Sequence, residues 1–234
     1  MISSVPALIR DAASVGAEIS EEQAETLLQY ADLLLAANAK VNLTAITDPE
    51  EIRIKHLVDS LSITSIPELR GSVADVGSGP GFPGVVIAAV KSDCSVTLIE
   101  ATAKKLSFCL QTAQDLGIPI HGIHGRAEEL ARGALRESFD DVTARAVAPL
   151  PSLCEFCLPL VKVGGAMIAM KGPTIEEEIT NAGAAIQELG GELICVRRLF
   201  LPDGSERSVA VIGKKRSTPD NYPRNGKKIR ENPL

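Results

Sequence analysis

Four glycines crowd into eight positions at Gly77-Ser78-Gly79-Pro80-Gly81-Phe82-Pro83-Gly84, directly after the run Val73-Ala74-Asp75-Val76. An uncharged, helix-compatible run, Val85 to Val90, follows. A strand, a tight turn and a helix N-terminus in that order let backbone approach a nucleotide-like ligand without side chains in the way. Gly79, Gly81 and Gly84 match the dinucleotide spacing G-x-G-x-x-G, but two residues too late for the strand. Counted from Gly77, which ends the strand, the pattern is G-x-G-x-G, with Phe82 where a third fingerprint glycine belongs. Asp75, just before the loop, suits a cationic sulfonium better than a pyrophosphate. The reading is an S-adenosylmethionine loop, and its bland competitor is a glycine-rich turn with no ligand.

Other groups that could do chemistry recur at regular intervals. Glu100 ends the run Val96-Thr97-Leu98-Ile99 and lies 23 residues after Gly77, a spacing at which a carboxylate can accept from both ribose hydroxyls. It could equally cap the helix that follows. In Gly125-Arg126-Ala127-Glu128-Glu129 a backbone amide and a carboxylate could read an adenine edge, or the acids could simply favour a helix N-terminus. Lys104, Lys105 and Arg126 follow expected strands, and Arg145 and Lys171 close them. A cofactor without phosphate does not require them, but a polyanionic substrate would. His56 has Asp59 nearby. It could orient a base or phosphate, or be a satisfied helix histidine. Cys154 and Cys157 form a C-x-x-C within an apolar segment with no second pair and no close histidine, which favours packing over zinc or redox work.

The elements that must position these groups are legible in outline. Ser20 to Ala37 reads as an amphipathic helix with a Ser20/Gln23 capping box, ended by Asn38. Asp48 caps a second helix with Pro49 at its first position. From residue 72 the pattern alternates, with strands expected at 72–76, 96–100, 120–124, 140–145 and 165–170. Helices are expected at 84–91, 103–116, 126–136, 149–162 and 174–189. Two β-rich runs, 192–200 and 207–213, flank the turn Pro202-Asp203-Gly204. The fold class is therefore α/β, a Rossmann-like doubly wound sheet with N-terminal helices and a C-terminal antiparallel hairpin, its ligands outside the strands' carboxyl ends. The expected division is 1–61 helical region, 62–213 catalytic domain and 214–234 basic tail.

With 234 residues, 45% apolar and 23% charged, the chain suits one soluble globular domain with a small attachment. No uncharged stretch reaches the roughly 18 residues of a spanning helix, and Met1 to Ser14 lacks the pattern of a secretory signal. Five irregularly spaced cysteines fit a reducing compartment, so the expectation is a cytoplasmic protein. It is expected to be monomeric, with no membrane partner. Net charge is −6, yet Lys214 to Leu234 carries +5 and leaves −11 for the rest. Such a tail is either a solvated terminus or an RNA-docking arm.

Several stretches together resemble one family, the ribosomal RNA small subunit methyltransferase G family, also called glucose-inhibited division protein B. They are Val41-Asn42-Leu43-Thr44, His56-Leu57-Val58-Asp59-Ser60, the loop from Asp75 to Gly84, Gly125-Arg126-Ala127-Glu128, Thr143-Ala144-Arg145-Ala146, Met170-Lys171-Gly172 and Tyr222-Pro223-Arg224. The second strand departs from the family's acid-serine pair, with Glu100-Ala101 in its place. The resemblance implies methylation of N7 of guanine 527 in 16S ribosomal RNA, with naked RNA, the small ribosomal subunit or an assembly intermediate as partner. It implies cofactor contacts from Gly77, Phe82, Ala127, Glu128 and Arg145, to which the loop and spacing add Gly79 and Glu100. Asn42, His56, Arg126 and Lys171 are implied on the RNA or target-base side, and no metal is expected. Rival readings are a small-molecule or protein methyltransferase of the same fold, a nicotinamide oxidoreductase, and a non-catalytic ribosome-assembly module.

Overall fold

The computed structural model describes residues 4–234; Met1–Ser3, the start of the expected helical region, lie outside the described residues. Two N-terminal helices, α1 (Val5–Ser14) and α2 (Glu21–Val41), precede a broken third. The capping box is present, Gln23 N–H donating to Ser20 Oγ and Ser20 N–H to the Gln23 side chain. The helix does not stop at Asn38 as the sequence suggests. It runs to Val41 and closes on Asn42 in the left-handed conformation at φ 51°. Asn38 instead turns inward and holds the connector, its Oδ1 accepting from the N–H groups of Leu43 and Thr44. The third helix is α3 (Pro49–Ile52), a π-helical stretch (Arg53–Val58) and α4 (Asp59–Leu61).

A seven-stranded sheet follows: β1 (Gly71–Val76), β2 (Cys94–Glu100), β3 (Ile120–His124), β4 (Phe139–Arg145), β5 (Val161–Lys171), β6 (Gly191–Phe200) and β7 (Glu206–Lys214). Its order is β3-β2-β1-β4-β5-β7-β6. The first five strands are mutually parallel, and β7 enters antiparallel between β5 and β6. Chain order reverses between β1 and β4, which places a crevice at their carboxyl ends. Alternate residues feed two apolar layers. Val73, Val96, Leu98 and Ile168 join the N-terminal helices, α5 (Gly84–Val90) and α6 (Ala103–Asp115) on one face. Ala74, Ile99, Val142 and Met167 join α7 (Ala127–Leu130), α8 (Leu150–Cys157) and α9 (Ile175–Glu188) on the other. Cys154 and Cys157 lie fully buried in that second layer, and burial pushes the Cys154 thiol up to about 12. They pack there.

Two expected helices are shorter than the sequence suggests. The one expected over 126–136 stops at Leu130, and the chain turns through Gly133. Arg132 and Arg136 then reach across, donating to the carbonyls of Pro223 and Tyr222. The one expected over 149–162 stops at Cys157, because Pro159 cannot continue the ladder. Val161 then starts β5 by pairing with Phe139.

The tail is anchored to the body at several points, although most of its basic side chains are exposed. Lys214 and Tyr222 are buried, α10 (Gly226–Glu231) packs Ile229 into the core, and Arg224 forks onto the fully buried carboxylate of Glu155. Burying Glu155 uncompensated would be costly, so the pair fixes the tail to the body.

Candidate active site

The carboxyl ends of β1, β2, β4 and β5 open into a cleft of about 570 Å³. Its floor is the glycine loop. Gly77 N–H donates to the Ile99 carbonyl, Gly79 N–H to Glu100 Oε2, and Phe82 N–H to the Ser78 carbonyl. Gly77 and Gly79 both have positive φ, at 66° and 55°. A Cβ on Gly77 would lie 2.7 Å from the Val147 side chain. Ser78 borders this cleft, and among the described residues its buried Oγ has no hydrogen-bond partner. A buried polar group left unpaired is uncommon and suits one that a ligand satisfies.

Asp75 does not face the cleft as the sequence reading supposed. It is fully buried in β1, accepting from Gly84 N–H through Oδ2 and from Thr143 Oγ1 through Oδ1. Burial raises its carboxyl to about 7, so it pins the start of α5 rather than meeting a sulfonium.

Arg145, at the end of β4, is the hub of the opposite wall. Its Nη1 donates to Asp59 Oδ2 and to the Lys55 carbonyl, each at 2.9 Å. Its Nη2 lies 3.1 Å from His56 Nδ1, and the guanidinium sits 5.6 Å from the centre of the Phe82 ring. The π-helical turn, a local widening often seen at functional sites, brings Lys55 and His56 to this one guanidinium together with Asp59, the first residue of α4. An arginine only donates, so His56 Nδ1 accepts and the proton sits on Nε2, which donates to Thr44 Oγ1 at 2.9 Å. The imidazole also stacks on Phe82, centroids 4.8 Å apart. Burial, and next the Arg145 charge, lowers the His56 pKa to about 3. It is a neutral brace.

This brace has a pH signature. The unfolded imidazole takes up a proton below about 6.5, while the folded one stays neutral to about 3, so His56 costs stability as pH falls through that window. Asp75 has the opposite sign, favouring the fold at low pH and losing that contribution as pH rises toward about 7. Comparing His56→Gln with the parent cancels Asp75. Relative to the parent's, the variant's urea midpoint should rise between about pH 7.5 and about pH 5, and a difference between the two proteins that stays constant with pH would contradict this.

Of the expected cations, Lys105, Arg145 and Lys171 line the cleft. Lys171 is not free: Nζ pairs with Glu178 at 2.6 Å and donates to the Ala148 carbonyl. Lys104 and Asn42 are exposed and do not line it, the latter serving as the end of α2. Arg126 is not on that wall either. It lines a smaller pocket of about 120 Å³ with Ala127, Glu128, Phe156 and Arg230. Gly77 and Glu100 border both spaces. The Glu100 carboxylate already accepts from the N–H groups of Gly79 and Thr102, so it anchors the loop, each oxygen retaining a further lone pair.

Sequence reading missed Lys55 and Arg207, which line the cleft, and Tyr30. Arg207 Nε lies 3.4 Å from Asp59 Oδ1. Tyr30, buried on α2, donates to the Pro80 carbonyl at 2.9 Å and meets the Phe82 ring edge-on. Only its place in the helix's apolar stripe marks it in the sequence.

The match to known proteins is extensive. A family model described as rRNA small subunit methyltransferase G matches residues 23–203. The chain belongs to that family. Proteins named ribosomal RNA small subunit methyltransferase G from Symbiobacterium thermophilum and Clostridium novyi are 44% and 41% identical to it, over 95% of this chain and 94% of theirs in both cases. Among solved structures, M. jannaschii TYW2 in complex with AdoMet superposes with TM-score 0.54 at 16% identity, covering 67% of this chain and 74% of that one. TrmN from Thermus thermophilus gives 0.53 at 18%, over 67% and 48%. At such identities the likeness concerns the fold, which is that of class I S-adenosylmethionine-dependent methyltransferases. Among the described residues no cluster of His, Cys, Asp and Glu could hold a metal ion, and no helix is long and apolar enough to cross a membrane.

Proposed function

We propose that this member of the rRNA small subunit methyltransferase G family methylates guanine N7, at position 527 of 16S ribosomal RNA, using S-adenosylmethionine. The observation that carries the cofactor is the glycine loop Gly77–Gly79, with the orphaned Ser78 hydroxyl, at the border of two neighbouring spaces of unequal size. S-adenosylmethionine supplies, when bound, a methyl group on a positively charged sulfur. Gly77, Gly79, Phe82 and Glu100 would hold it beside the large cleft, and Ala127 and Glu128 would hold its adenosine end.

Guanine N7 has a lone pair and no proton to lose, so the reaction needs orientation rather than a general base. The residues at the cleft match that need. The His56 nitrogens are both engaged, Asp59 is tied to two arginines, and Glu178 is paired with Lys171. Lys105 lines the cleft, as do Lys55 and Arg207, which also pair with Glu51 and Asp59; these cations would meet the phosphates flanking an unstacked base. A cytoplasmic monomer acting on the small subunit or its precursor fits this reading.

Single-turnover methyl transfer should therefore vary little with pH between about 6.5 and about 8.5. A rate rising tenfold per pH unit would mean that a base deprotonates in the step. The broader test is digestion of the labelled RNA to nucleosides: 7-methylguanosine supports the proposal, and label in any other nucleoside overturns the atom assigned.

A further inference from the structure

The basic tail was expected as a solvated terminus or an RNA arm, yet it leads back to the smaller pocket. Its path is fixed at several points. Arg132 Nε donates to the Pro223 carbonyl at 2.7 Å, Arg136 Nη1 to the Tyr222 carbonyl at 2.8 Å, and Ser152 Oγ to the Ile229 carbonyl at 3.1 Å. Arg224 locks the middle onto Glu155 through both its backbone N–H and its guanidinium. These anchors deliver α10 to the mouth of the space lined by Ala127 and Glu128. There Arg230 forms part of the lining, its guanidinium 5.8 Å from the centre of the Phe156 ring. Gly226 lies so close to the Glu128 carboxylate that a Cβ would collide with Oε1.

Resting on the cofactor assignment above, we propose that α10 is the outer wall of the adenosine pocket, with Arg230 contacting the purine and Gly226 leaving room for the Glu128 carboxylate. A guanidinium is flat, weakly hydrated and suited to lie against aromatic planes, with Phe156 already on the same side. The tail's charge near this wall thus serves cofactor retention, and the RNA is held by the rim of the larger cleft. Lys227 is on the same helix but is not part of the lining and is largely exposed, so it provides an internal control.

The test uses the full chain. Equilibrium dialysis with labelled S-adenosylhomocysteine and with 5′-methylthioadenosine, which lacks the amino-acid half, measures cofactor affinity, and filter binding measures RNA affinity. Arg230→Gln should weaken both nucleosides by a similar factor, about 3-fold, the scale of one guanidinium–ring contact at an exposed position such as this one. Its RNA affinity, the salt dependence of that affinity and the ligand-free Tm should stay those of the parent. Lys227→Gln should leave nucleoside affinity unchanged. Gly226→Ala, which displaces Glu128, should weaken the nucleosides as well. Parental nucleoside affinity in Arg230→Gln, or a loss of RNA affinity in its place, overturns the proposal. Failure of the parent protein to bind either nucleoside would instead bring down the cofactor assignment, and the wall with it.

Discussion

Arg145→Leu will cost the folded protein about 3–5 kcal/mol, because it strands a buried carboxylate. Asp59 is 4% exposed, and among the described residues the one ion pair it would retain is with Arg207, at 3.4 Å. The same substitution removes the donor to His56 Nδ1 and to the Lys55 carbonyl, and the cation beside Phe82. The wall of the cleft then loses its register with the glycine loop, and methyl transfer should drop by about 10²-fold or more, as for misplacement of reacting groups. Urea unfolding at neutral pH checks the first effect, and single-turnover transfer at saturating cofactor checks the second. Arg145→Lys sharpens the test. An ammonium keeps the charge but lacks the planar fork that serves several acceptors at once, so stability should recover in part while activity stays low. Near-parental activity in either variant would contradict the hub assigned to this arginine.

Gly77→Asp separates cofactor binding from folding. The backbone there has φ 66°, a conformation that costs a side-chain-bearing residue about 1–2 kcal/mol. The new Cβ would press on Val147, but that residue is 38% exposed and free to swing outward. The fold should survive. Cofactor binding should not, because a second carboxylate would enter the border between the two spaces, beside that of Glu100. The expected outcome is a cooperative melt close to the parent's, no measurable uptake of S-adenosylhomocysteine, and methyl transfer reduced at least about 100-fold. Retained uptake would show that the loop is a turn without a ligand.

The parts of this site that the sequence revealed are those written in consecutive residues. The loop, the strand ends carrying Glu100, Arg145 and Lys171, and the Ser20 cap all announce themselves through local spacing, and the sheet forms where the alternating pattern places it. What stayed hidden depends on pairs far apart in the chain. Arg224 meets Glu155 across 69 positions, and no count of tail charges shows which carboxylate waits for it. Tyr30 reaches Pro80 across 50. Asp75 was misassigned because its polarity was visible but its facing was not; in a strand buried on both sides an acid can serve the backbone as readily as a ligand. His56 and Asp59 looked like a pair by proximity, yet each contacts Arg145.

The central claim is that this cleft delivers a methyl group to one guanine N7. Ribosomal small-subunit RNA from cells lacking the protein should be incubated with it and labelled S-adenosylmethionine, then subjected to strand cleavage specific for N7-methylguanine. The account predicts a single new cleavage, at guanine 527, absent with Gly77→Asp. Label incorporated without that cleavage, or cleavage elsewhere in the RNA, would contradict it.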